Sequence, residues 1–102
     1  MPNLFSPLSI GRIQLPNRIV MAPMASGCAF ADGFIGTALA DYYSQQARGG
    51  PGLIITEPLL VLPPPEGVAT VHLGLYHDAF VPGLSRAVRA AHDSGVRLLA
   101  TL

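Results

Sequence analysis

The sequence predicts an α/β fold, a short β-hairpin followed by β-α-β-α-β with parallel strands. Two patterns carry that prediction. Compact apolar runs at residues 18–22, 53–57 and 96–102 alternate with helix-period segments at 37–48 and 78–94. Strands alternating with helices pair in parallel through right-handed crossovers. Three such strands with two helices make half of a doubly wound sheet or three-eighths of a (β/α)8 barrel. No G-x-G-x-x-G follows the first strand, where Ala22-Pro23-Met24-Ala25-Ser26-Gly27 stands instead. That weighs against a dinucleotide-binding half-sheet.

Each element has its own signal. Residues 9–15 form two short extended pieces around Gly11-Arg12, with Ile10, Ile13 and Leu15 as apolar members. Arg18-Ile19-Val20-Met21-Ala22 is apolar on both faces, as a strand covered on both sides would be. Residues 26–36 read as a loop turning at Asp32-Gly33. A helix follows at 37–48, with Thr37 as its expected N-cap and Asp41 near its positive end. Leu39, Tyr43 and Ala47 share one helical face, and Gly49-Gly50-Pro51 stop the helix.

Leu53-Ile54-Ile55-Thr56-Glu57 is a β-branched strand, and a long loop runs from it through Pro63-Pro64-Pro65 to His77. Asp78 is the expected cap of a second helix that accepts Pro82 in its first turn. Val81, Leu84, Val88 and Ala91 are assigned to its buried face. Arg86, Arg89 and Asp93 are assigned to its outer face, with Arg89 and Asp93 paired at i,i+4. Gly95 ends it, and residues 96–102 form the third strand.

Composition limits the function. The 102 residues are 50% hydrophobic and only 12% charged, and six basic residues, all Arg, balance six acids. A typical domain carries about 25% charged residues. Mean hydropathy is +0.45. No basic excess exists to displace counterions from a nucleic acid. The single Cys28 makes no internal disulfide. No window reaches the roughly 18 apolar residues of a membrane span. Arg12, Arg18 and the run 19–31, ending in Ala29-Phe30-Ala31, imitate a secretory signal, but Pro23 breaks that run. The expected compartment is the cytoplasm, with Cys28 a reduced thiol. His72, His77 and His92 stand at no metal-ligand spacing, so no metal is expected. Glu57, at a strand end in an apolar run, reads as a hydrogen-bonded structural acid and is the one acid worth testing.

The string Pro16-Asn17-Arg18-Ile19-Val20-Met21-Ala22-Pro23-Met24 resembles the N-terminal part of the old yellow enzyme family of NADH:flavin oxidoreductases. Leu4-Phe5-Ser6-Pro7-Leu8-Ser9-Ile10-Gly11 is similar to that family's opening hairpin. Tyr43, Ala47 with Gly49-Gly50, and Gly52-Leu53-Ile54-Ile55-Thr56-Glu57 are similar to its first helix and second strand. Gly74-Leu75-Tyr76 leading to Gly83-Leu84 is similar to the entry of its second helix.

The resemblance implies a TIM (β/α)8 barrel, of which residues 1–102 would be a partial FMN-binding domain with three of eight strands. It implies FMN as cofactor, NAD(P)H as reductant, and hydride transfer to an activated alkene or enoyl compound, as in ene-reductases or dienoyl-CoA reductases. It places Ala22, Pro23, Met24 and Ala25 against the flavin face, and Pro58 and Thr101 at its edge. Three of these depart from the family's usual residues. Ala25 stands where relatives often carry a Cys or Thr donor. Pro58 has no N–H where relatives present one. Thr101 replaces a longer Gln.

The family's substrate-anchoring His pair or His/Asn, its proton-donating Tyr and its phosphate site lie beyond the matched segment, so no catalytic residue is assigned. The chain is thus expected to be an incomplete domain whose apolar excess the other barrel units would cover. The alternative is a non-catalytic remnant, or a partial barrel that self-associates or joins a complementing chain. A third reading, an unrelated phosphate-binding barrel or flavodoxin-like half, needs a Gly-rich loop that Ser26-Gly27 does not supply.

Overall fold

The computed structural model describes residues 1–30, 32–68 and 72–102. Ala31 and residues 69–71 lie outside the described residues, and with them the last residue of the cleavage-like triplet and parts of both predicted loops.

The hairpin pairs β1 (Leu8–Ile10) with β2 (Ile13–Leu15) antiparallel, and Gly11 turns it at φ +57°. A second sheet contains β3 (Val20–Met21), β4 (Leu53–Leu60), β5 (Leu73–Gly74) and β6 (Arg97–Thr101), all parallel to their partners. β4 lies between β3 and β6, with Val20 beside Leu53 and Leu53 beside Arg97. Two helices connect these strands, α1 (Thr37–Arg48) and α2 (Val81–His92).

In register, Met21, Ile54 and Leu98 point to one face of the sheet, where α1 and α2 pack. Leu39, Tyr43 and Ala47 of α1 are buried there, as their spacing predicts. The opposite face carries Val20, Leu53, Ile55 and Leu99, and no layer covers it among the described residues. Ile54 is 0% exposed, against 44% for Val20 and 51% for Leu99. Within the described residues the first strand is covered on one side only. The radius of gyration is 14.6 Å, against about 13 Å for a compact chain of 100 residues. The molecule is a layer and a half rather than a closed globule.

The structure corrects several local expectations. The N-cap of α1 is Gly36, extended at φ −87°, so Thr37 is already helical and Asp41 lies past the first turn. Asp78 begins a 3-10 turn (Asp78–Phe80), and His77 caps it through Nδ1, which accepts from the Ala79 N–H at 3.0 Å. Asp93 meets Arg89 through the main chain, its N–H donating to the Arg89 carbonyl at 2.9 Å.

The inner face of α2 is Gly83, Ala87 and Ala91, while Val81 is exposed and Leu84 and Val88 are half-buried. Small residues are required because the helix comes close. A Cβ on Gly83 would sit 3.0 Å from Ile35 Cβ. β4 runs through Pro58 to Leu60 instead of stopping at Glu57, with a register irregularity between Ile55 and Pro58. A bulge is where a strand tolerates a residue lacking N–H.

Candidate functional site

Ligands of parallel sheets bind beyond the carboxyl ends of the strands. Here those ends bring the six expected residues to one side of the molecule. Ala22, Pro23, Met24 and Ala25 leave β3 and are all exposed, Met24 at 54%. Pro58 and Thr101 face each other across β4 and β6 as Cα partners. Pro58 is exposed and Thr101 half-buried. The shelf is apolar, and Pro23 limits the backbone freedom of its first turn.

The polar atoms of the shelf are mostly committed. The Thr101 N–H donates to Thr56 Oγ1 at 3.1 Å, and the Thr101 hydroxyl donates to the Thr56 carbonyl at 3.0 Å. With its proton so used, Thr101 Oγ1 can only accept from a ligand. Ala25 has no polar side chain and Pro58 no N–H. Among the described residues, the main-chain N–H groups of Met24 and Ala25 have no partner. The donors this shelf offers are therefore main-chain groups.

Beneath the shelf lies a buried polar cluster. Glu57 is 0% exposed. Its Oε1 accepts a short hydrogen bond from Ser26 Oγ, and its N–H donates to Tyr43 Oη at 3.1 Å. Ser26 Oγ in turn accepts from the Cys28 N–H at 3.2 Å. Glu57 Oε2 is buried with no partner among the described residues. Burial pushes the Tyr43 phenol from its ordinary 10.0 up to about 12. The Glu57 N–H opposes that shift and the nearby Glu57 carboxylate adds to it.

The expectation that Glu57 is a hydrogen-bonded acid holds. The sequence reading did not find its partners Ser26 and Tyr43. The available signal was the acid itself, since a buried carboxylate in an apolar strand needs donors from neighbouring elements.

The remaining candidates lie apart. Phe80 stacks on Phe34 at 4.3 Å and meets Tyr76 edge-on at 4.8 Å. These rings pack over Gly74, where a Cβ would lie 2.7 Å from the Phe80 ring. His77 is a cap, His92 ends α2 and Cys28 is a half-buried free thiol. Among the described residues, no helix is long and apolar enough to cross a membrane.

Comparison with known proteins gives the same assignment as the motif. The family model of NADH:flavin oxidoreductase / NADH oxidase matches residues 3–102. A NADH oxidase of Thermoanaerobacter brockii is 41% identical over 97 residues, which cover 95% of this chain and 15% of that protein. A metal reductase of Desulforamulus reducens is 38% identical, over 97% of this chain and 14% of its own length.

Among solved structures, a variant of NCR from Zymomonas mobilis superposes with a TM-score of 0.87 at 35% identity. It covers 98% of this chain and 32% of its own. Morphinone reductase in complex with tetrahydroNAD gives 0.85 at 35% identity, covering 98% and 26%. The old yellow enzyme from Trypanosoma cruzi gives 0.83 at 34%, covering 95% and 26%. The chain thus spans about a seventh of the curated relatives and a quarter to a third of the solved ones. The fold is the N-terminal portion of the old yellow enzyme barrel, and the chain belongs to the NADH:flavin oxidoreductase / NADH oxidase family.

Proposed function

We propose that this chain supplies the floor of an FMN site in an NAD(P)H-dependent oxidoreductase that reduces an activated alkene or enoyl compound. The observation that carries this is the exposed apolar shelf of Ala22, Pro23, Met24 and Ala25 at the strand ends, with Pro58 and Thr101 at its side. The residues fit the flat face of a flavin ring, which asks for small side chains and accessible main chain rather than side-chain charges.

When bound, FMN supplies hydride transfer between the nicotinamide and the substrate. This chain's part is to support the ring face, to offer the N–H groups of Met24 and Ala25, and to keep Thr101 as an acceptor. With Ala25 in place of a donor side chain, the shelf has little means of tuning the flavin by side-chain hydrogen bonds. The visible spectrum of the natural polypeptide, purified without added cofactor, tests the reading. Flavin bands that survive gel filtration support it. A colourless protein that ignores added FMN overturns it.

The open sheet face favours a second reading, a non-catalytic partial barrel that covers Val20, Ile55 and Leu99 by self-association or with a complementing chain. Gel filtration separates the two. Colourless oligomers support the second, and a species that retains flavin supports the first.

A further inference from the structure

We propose that Glu57 is a positioning residue, clamping the segment 22–25 to the strand that carries Pro58 through the hydroxyl of Ser26. This rests on the FMN reading above and deepens it. Ser26 directly follows Ala25, and Glu57 directly precedes Pro58. Their hydrogen bond joins residues 31 apart in sequence. It therefore ties together the two segments of the shelf that come from different strands.

Ser26 Oγ accepts from the Cys28 N–H and donates its own proton to Glu57 Oε1. The main chain of Glu57 is anchored in turn to Tyr43 Oη on α1. Loop, strand and helix are thus referenced to one another through a single residue, Glu57, by its side chain to Ser26 and its main chain to Tyr43. Residues 23–25 make no hydrogen bond of their own among the described residues, so Ser26 is the point at which this segment is held.

Stability alone is a poor reason for the carboxylate. A buried polar side chain costs free energy unless its atoms are hydrogen-bonded, and a well-packed apolar side chain often does as well or better. Glu57 is wholly buried, and only one of its carboxylate oxygens has a partner among the described residues. What an apolar residue could not do is hold Ser26 in one orientation. A directional bond at this place sets the height and tilt of residues 22–25 relative to Pro58.

The test uses the natural polypeptide with FMN as the probe, titrated by fluorescence and followed by visible circular dichroism of the bound flavin. Thermal unfolding is recorded for every variant. Ser26→Ala and Glu57→Leu are each expected to weaken FMN binding about tenfold, the scale of one hydrogen bond. Both should alter the dichroism of the bound ring. The double variant should be no weaker than the worse single one, because both changes break one link. Ser26→Thr, which keeps the hydroxyl, should restore affinity and spectrum.

Wild-type affinity and dichroism in Ser26→Ala overturn the proposal. So does a loss that Ser26→Thr shares and that follows the fall in thermal midpoint, since that is a structural effect only. If Glu57→Leu does not fold, the Ser26 pair decides alone. If the unaltered protein binds no FMN, the FMN reading falls and takes this proposal with it, an outcome distinct from normal binding by Ser26→Ala.

Discussion

The two faces of the sheet are built from the same kinds of residue and meet opposite fates. Ile54 and Ile55 are neighbours in one strand. The first is sealed beneath α1 and α2, and the second, half-buried, lies on the face that no layer covers among the described residues. Leu98 and Leu99 repeat the contrast one strand away. The side-chain period of two sends adjacent apolar residues to opposite faces, and burial then depends on what lies over each face. The apolar residues of the sheet are therefore buried by this chain's own helices on one side and left open on the other among the described residues.

The largest expected effect would break this comparison most directly. Ile54→Ala should cost about 2–5 kcal/mol, read as a lower midpoint in urea unfolding. A loss no larger than that of an exposed site would mean the helix layer is loosely packed. Next is alkaline pH. The Tyr43 phenol is held near 12 in the fold against 10.0 unfolded. Its contribution is fully present below pH 10 and is lost as pH rises through about 12. The loss should approach about 2–3 kcal/mol, at 1.36 kcal/mol per unit. Tyr43→Phe should flatten that alkaline limb while leaving the Glu57 N–H without its acceptor.

Gly83→Ala comes third. The added Cβ meets Ile35 at 3.0 Å and its carbonyl at 3.2 Å, and overpacking of this kind costs about 1–3 kcal/mol. Thermal unfolding reads it, and an unchanged midpoint would mean that α2 slides outward freely. Smallest is Leu99→Lys on the open face, within about 0.5 kcal/mol in this chain. Gel filtration sharpens the point. If copies associate through that face, the charge should shift the elution toward monomer.

Much of the fold was legible because it rests on periodicity. The face Leu39, Tyr43, Ala47 and the hairpin around Gly11 follow from spacing and turn chemistry alone. Of the buried face of α2 only Ala91 was legible, because Gly83 and Ala87 carry little hydrophobic weight. Their smallness matters only once Ile35 is known to press against the helix. β5 is two residues long and has no period to read. The extent of β4 was hidden by Pro58, which signals an end by propensity and is tolerated here at a register irregularity. At the site, the string around Pro23 located the shelf. The partners of Glu57 come from a loop and a helix distant in sequence, which spacing does not reveal.

The parallel arrangement has a consequence for how the chain assembles. The bonds that lock β4 to β6 join Thr56 to Thr101, 45 residues apart. The β3–β4 and β4–β6 pairings must each wait for a helix and a loop to be laid down and closed, which makes such topologies slow to fold. During synthesis β3 and β4 must persist with a bare edge until β6 emerges. The helices, whose bonds are local, can form first and shield one side in the interval. The order of elements along the chain thus works as a timetable, in which local structure guards the sheet until its distant partner arrives.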